Sequence, residues 1–212
     1  MPRDYVKDPA EIYRQSFATI EAEARLDVLP ASLRGVARRM IHACGMPDLV
    51  DDMAWDGDPV AAAQRALADG APILVDAQMV ASGIIRSRFP NTEVVCTIAE
   101  ERVAETASQL CTTRSAAAVE LWRGRLQGAV VAIGNAPTAL FHLLDVIEAG
   151  GPQPGAIFAF PVGFVGAAES KQALIDAGLG VPYLTLRGRR GGSAIAAAAI
   201  NALADDKPAA ET

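Results

Sequence analysis

Apolar residues recur along this chain in two rhythms that alternate from about residue 70 onward. Short runs of apolar residues at 72–76, 93–98, 129–134, 156–161 and 181–186 read as buried strands. Between and after them the apolar positions space out at three and four residues. That spacing predicts helices over 100–111, 115–126, 138–149, 167–177 and 193–204, and a short helical stretch ending near Gly83. Ahead of the first strand it predicts three more. Asp8-Pro9 and Asp58-Pro59 each set an aspartate cap before a proline in the first helical position, so helices run from there to about Leu26 and Gly70. The third spans Ser32 to Gly45. Strands apolar on both faces and separated by helices predict an α/β fold, a three-layer doubly wound sandwich around a mostly parallel five-stranded sheet. No segment is long and polar enough to be a linker, so a single domain is expected over 1–206, with a frayed tail at 207–212.

Composition narrows the function classes. Hydrophobic residues make up 51% of the chain, yet no apolar run approaches the roughly 18–20 residues of a membrane span. The N-terminal residues lack the apolar core of a signal peptide, and Cys44, Cys96 and Cys111 are odd in number and scattered. The expectation is a soluble, cytoplasmic protein with neither a disulfide framework nor a metal knuckle. A net charge of −6 argues against nucleic acid as a partner.

Three glycine-rich turns carry the strongest chemical signal. They centre on Gly134-Asn135, on Gly163 to Gly166, and on Gly188 to Ser193 with Gly192 at the helix start. Each follows an apolar strand and precedes a helix, so all three gather at the carboxyl ends of the strands, where α/β proteins bind ligands. Backbone N–H groups there suit anionic groups. Arg187, Arg189 and Arg190 cluster beside the last turn. None of the turns matches a nucleotide fingerprint, and no nucleophile elbow occurs.

His42 is the sharpest side-chain candidate. Leu33, Val36, Ala37, Met40 and Cys44 form one apolar stripe on its helix, and His42 falls opposite with Gly35, Arg38 and Arg39. That face is either solvated or lines a pocket, with the imidazole as general acid and the guanidiniums as carboxylate clamps. Arg114, beside Thr113 and Ser115, sits at a helix start where a cation is unfavourable. It either binds a ligand or pairs with a local carboxylate such as Glu105. Asp76 ends a strand and is expected to cap the following helix. Lys171 either reaches a ligand or remains in solvent. His142, among Phe141, Leu143 and Leu144, reads as structural.

Six motifs in order now resemble one family. They are Arg39 to Gly45, Ala71 to Asp76 with Met79-Val80, Thr113 to Ala116, Ile133 to Leu140, Pro161 to Lys171 and Gly188 to Ser193. Together, over Tyr13 to Leu203, they look like precorrin-8X methylmutase. One departure is that both Ile84 and Ile85 stand where a polar residue is expected. The resemblance implies a flavodoxin-like fold, a homodimer, no cofactor, and an isomerase of vitamin B12 synthesis that moves a methyl group from C-11 to C-12 of a corrinoid ring. It implies His42 as the catalytic histidine. The substrate-binding set expected with it is Ser16, Arg38, Arg39, Arg114, Ser115, Gly134, Asn135, Gly163, Gly166, Lys171, Gly192 and Ser193. A precorrin is an apolar macrocycle rimmed with carboxylates, which suits N–H cradles and arginines at the rim. A 1,5-sigmatropic shift needs no redox group or nucleophile, and protonation of a ring nitrogen assists it. Two alternatives are a methylmutase for the cobalt-containing substrate of the anaerobic route, and a non-catalytic flavodoxin-like module holding a phosphate or nucleotide.

Overall fold

A computed structural model describes residues 3–204; the tail expected at 207–212 lies outside them. Six strands form one sheet: β1 (Met53–Asp56), β2 (Ile73–Val75), β3 (Val94–Val95), β4 (Val130–Ile133), β5 (Ala156–Ala159) and β6 (Tyr183–Leu186). Their spatial order is β1-β6-β5-β4-β2-β3, parallel except for β1, which pairs antiparallel with β6. Taken by themselves, the five parallel strands follow the flavodoxin-like order, with the topological switch between β2 and β4.

The sixth strand corrects the five expected. Met53 to Asp56 is short and flanked by Asp51-Asp52 and Gly57-Asp58, so nothing local marks it. Its register against β6, Met53 with Leu186 through Asp56 with Tyr183, is a tertiary pairing. Strand β3 is two residues long rather than the six expected.

The strands alternate between two cores, as the pleat requires. Val130 and Ala132 of β4 face one core, with Phe158, Leu184 and Leu186. That side is covered by α1 (Pro9–Glu23), α2 (Ala31–Cys44), α3 (Leu49–Asp52), α4 (Pro59–Ala68), α5 (Gln78–Gly83) and α10 (Ser193–Asn201). Val131 and Ile133 face the opposite core with Ile157 and Ala159. There α6 (Arg102–Gln109), α7 (Arg114–Glu120), α8 (Pro137–Glu148) and α9 (Ala167–Asp176) pack.

The capping signals act as their residue types dictate. Asp8 accepts from the Ala10 amide at 3.0 Å and Asp58 from that of Ala61 at 3.1 Å, each ahead of a proline in the first turn. Helix α2 stops at Gly45, whose φ of 69° needs a residue without a β-carbon. Helix α1 ends at Glu23, short of Leu26, which opens a separate 3-10 turn. Among the described residues no helix is long and apolar enough to cross a membrane.

Candidate active site

The last turn of α2 carries His42. Leu33, Val36, Ala37 and Met40 are buried beneath it, so the opposite face is turned outward. Helix α1 lies along that face and holds the imidazole from three sides. Ser16 Oγ is 2.7 Å from His42 Nδ1, Tyr13 stacks on the ring at 5.1 Å and 24°, and Phe17 meets it edge-on at 5.3 Å. Arg38 lies over the other part of Phe17, 4.8 Å from its centroid, and pairs with Glu21 at 2.7 Å. Arg39 is half-buried next to it. With Nδ1 engaged by a hydroxyl, Nε2 is the nitrogen presented outward. Tyr13 and Phe17 went unremarked in the sequence; their signal is an aromatic pair flanking a serine at helical spacing on α1.

The glycine turns do assemble at the carboxyl ends of the strands, but the N–H groups of Gly134, Asn135, Ala136, Gly163 and Gly192 are engaged within the chain. Asp76, at the end of β2, crosses the topological switch. Its carboxylate accepts from the amides of Gly134 at 2.8 Å, Asn135 at 3.0 Å and Ala136 at 2.7 Å. It therefore caps the entry to α8, not the helix that follows it in sequence. Burial pushes this carboxyl up, against the pull of the three amides. The Gly192 amide donates to the Phe160 carbonyl at 2.8 Å and the Gly163 amide to Arg189 at 3.4 Å. Gly134 is closely packed, since a β-carbon would sit 2.8 Å from Ser193, Ala196 and Val80 atoms. Gly163, Gly166 and Gly192 have φ of 137°, 79° and 124°, so backbone conformation alone accounts for glycine there.

Lys171 does not stand in solvent, which corrects one of its two expected readings. It is fully buried on α9 and donates to the Arg190 carbonyl. Arg190 itself pairs with Asp48 at 2.7 Å, which ties the β6–α10 turn to the segment just after α2. Burial pushes the Cys44 thiol, two residues beyond His42, up, and the Arg190 charge acts on it in the opposite sense. Arg190 thus ties the last glycine turn to the end of the helix that carries His42 and to the segment after it. Exposed Arg187 and Arg189 flank that turn, with Arg189 5.4 Å from the ring of exposed Phe164.

Arg114 and Ser115 stand apart. They open α7 in the opposite helical layer, where Thr113 caps the Ala116 amide and Arg114 donates to the Ile98 carbonyl at 3.1 Å. Glu105, offered as its partner, instead accepts from Gln109 at 3.0 Å. His142 meets Glu120 at 2.6 Å. Ile84 is buried and Ile85 exposed, so neither position supplies a hydroxyl.

A sequence model of the precorrin-8X methylmutase family matches residues 11–206. The chain is 58% identical to precorrin-8X methylmutase of Pseudomonas aeruginosa, covering 96% of this chain and 99% of that protein. It is 52% identical to that of a Sinorhizobium species, covering 95% and 96%. The crystal structure of the Thermus thermophilus precorrin-8X methyl mutase superposes with a TM-score of 0.83 at 37% identity, covering 92% and 94%. The chain belongs to the precorrin-8X methylmutase family. It is an isomerase of cobalamin biosynthesis whose reaction moves a methyl group from C-11 to C-12. Such an isomerase must hold a broad corrinoid ring while the methyl group moves. Of the expected residues, Ser16, Arg38, Arg39 and His42 cluster on α1 and α2, and the β6–α10 turn is tied by Arg190 to Asp48, just after α2.

Proposed function

We propose that His42 is the proton donor of the methyl shift, acting through Nε2. The observation that supports this is the 2.7 Å contact of Ser16 Oγ with Nδ1. In the imidazolium form Nδ1–H donates to Ser16, which leaves Nε2–H for a ring nitrogen of the substrate. Tyr13 and Phe17 hold the ring plane, so the proton is delivered in one direction. Protonation withdraws electrons from the conjugated path. The C-11–methyl bond breaks as the C-12–methyl bond forms, the double bonds shift with it, and the ring nitrogen returns its proton to Nε2. Nothing is gained or lost, as an isomerisation requires.

Two finer readings accompany this one. The substrate is the metal-free precorrin-8X, giving hydrogenobyrinic acid, supported by 58% and 52% identity to precorrin-8X methylmutases against 36% to the cobalt-precorrin-8 methylmutase of Priestia megaterium. The working unit is a homodimer, which offers a way for Arg114, remote from His42 within one chain, to serve the second copy's centre. A phosphate-binding module, the reading from another class, finds its switch-point nest already filled by Asp76.

The test is incubation of wild type, His42→Ala and Ser16→Ala with precorrin-8X and separately with its cobalt form, following the spectrum of the rearranged ring. His42→Ala should lose roughly 10²–10⁴-fold in kcat while still binding the product. Ser16→Ala should lose less, in kcat rather than KM. Near-normal turnover by a folded His42→Ala would remove the imidazole from the chemistry, and faster turnover of the cobalt form would reverse the substrate assignment.

A further inference from the structure

Lys171 is an anomaly: a lysine with no exposed surface, in a helix whose neighbouring residues could have carried it to solvent. Its ammonium enters the interior beneath the Arg187–Gly192 turn and donates to the Arg190 carbonyl. The same turn is fixed at both flanks by backbone bonds. The Arg187 amide donates to the Asp52 carbonyl at 2.6 Å, and the Gly192 amide to Phe160 at 2.8 Å. Gly191 packs so closely on Phe160 that a β-carbon would lie 2.2 Å from its carbonyl oxygen. Between these flanks the Arg190 carbonyl points inward, where only a side-chain donor can meet it. A methyl group there would leave it unpaired.

We propose that Lys171 is a positioning residue, whose ammonium holds the Arg187–Gly192 turn so that Arg187 and Arg189 face the carboxylate rim of the corrinoid. This rests on the reading that those carboxylates are bound at the carboxyl ends of the strands. Lys171 itself touches no substrate. Its charge is what makes the latch firm, because a charged donor binds a carbonyl more strongly than a neutral one. The Asp52 carboxylate, at the end of α3, favours that charge. Besides Arg187 and Arg189 on the turn itself, Arg190, Asp48 and Cys44 are charged or titratable groups near it. Asp48 is held low by Arg190, Arg190 is held high by Asp48, and burial raises the Cys44 thiol.

The interior exacts a counter-effect that makes the proposal testable. Burial pushes the Lys171 ammonium down to about 8. The latch is therefore charged at neutral pH and becomes a neutral amine as the pH rises through that value. As the pH rises through that value the folded chain no longer carries a buried charge, so affinity should fall while stability rises.

The experiment measures corrinoid product affinity by absorbance from pH 7 to 9.5, with kcat, KM and melting temperature at pH 7. It compares wild type, Lys171→Met, Lys171→Gln and Arg189→Ala. Wild-type Kd should rise several-fold, up to about tenfold, across that range, the scale of one charge-assisted hydrogen bond. At pH 7, Lys171→Met should raise KM and Kd about tenfold with kcat within about twofold. Lys171→Gln, a neutral donor, should fall between and show no pH dependence. Arg189→Ala should also weaken binding. A flat wild-type profile, or wild-type affinity in Lys171→Met, overturns the proposal. If Arg189→Ala weakens binding while both Lys171 variants bind normally, the latch fails and the edge reading stands. If none of the three variants changes affinity, both fail together.

Discussion

Removing the Asp76 carboxylate asks whether the switch point is scaffold or chemistry. Gly134 and Ala136 are buried while Asn135 is exposed, so in Asp76→Ala water can replace the acceptor only at the middle amide. Two buried donors remain unsatisfied at about 1–3 kcal/mol each, and the missing atoms leave a small void. The expected loss is about 4–5 kcal/mol. Asp76→Asn keeps the shape, and its oxygen can serve Asn135 and Ala136. Its amide nitrogen then faces the Gly134 N–H donor to donor, for a loss of about 2–3 kcal/mol. In a chain of this length each kcal/mol shifts the melting temperature by about 2–4 °C. Calorimetry should show a fall of roughly 10–20 °C for alanine and roughly 5–10 °C for asparagine. Formate, small enough for the vacated nest, should restore part of the alanine deficit. Turnover measured well below each melting point should stay near wild type, because the carboxylate is only 2% exposed. A melting temperature within about 2 °C of wild type for Asp76→Ala would refute the reasoning. Lost turnover with an unchanged melting temperature would return Asp76 to the chemistry.

Alanine at Gly163, Gly166 or Gly192 should lower stability by about 1–2 kcal/mol each through backbone strain, and Gly192→Ala should also weaken corrinoid binding. Equal affinity in all three variants would confine these glycines to making turns. Arg114→Ala should weaken substrate binding by about 1.5–3 kcal/mol. Mixed dimers of Arg114→Ala with His42→Ala should recover one working site each if Arg114 serves the second copy, and no recovery would place its role elsewhere. Between pH 8 and 10.5 the unfolded chain holds the Lys171 proton and the folded chain does not, so stability should rise with pH by up to about 3 kcal/mol. Chemical denaturation of Lys171→Met should lack that rise, and a wild-type-like rise in the variant would assign it to another group.

What was legible in the sequence divides along the range of the interaction. The strand-to-helix rhythm, the Asp-Pro starts and the Gly45 stop are local, and they placed α2 and the parallel strands other than β3 within a residue or two. His42 was legible for the same reason, since one helix's stripe decides which way its far face points. Its partners were not, because Ser16 lies 26 positions away and meets it only through the packing of α1 on α2. Strand β1 was invisible because its pairing with β6 spans most of the chain. The backbone misled most. A glycine turn looks like a row of free donors until the acceptors are known, and Asp76 supplies them from 58 to 60 residues upstream. Lys171 looked like a ligand-reaching or solvated lysine for the converse reason, its partner being a carbonyl that no side-chain pattern records. These two long-range facts shift the burden of recognition. With the amides of Gly134, Gly163 and Gly192 engaged inside the chain, the proposed contacts to corrinoid carboxylates pass to guanidiniums and to the remaining turn amides. The β6–α10 turn, latched from beneath and carrying two exposed arginines beside the Arg190 link to α2, is where the fold offers them.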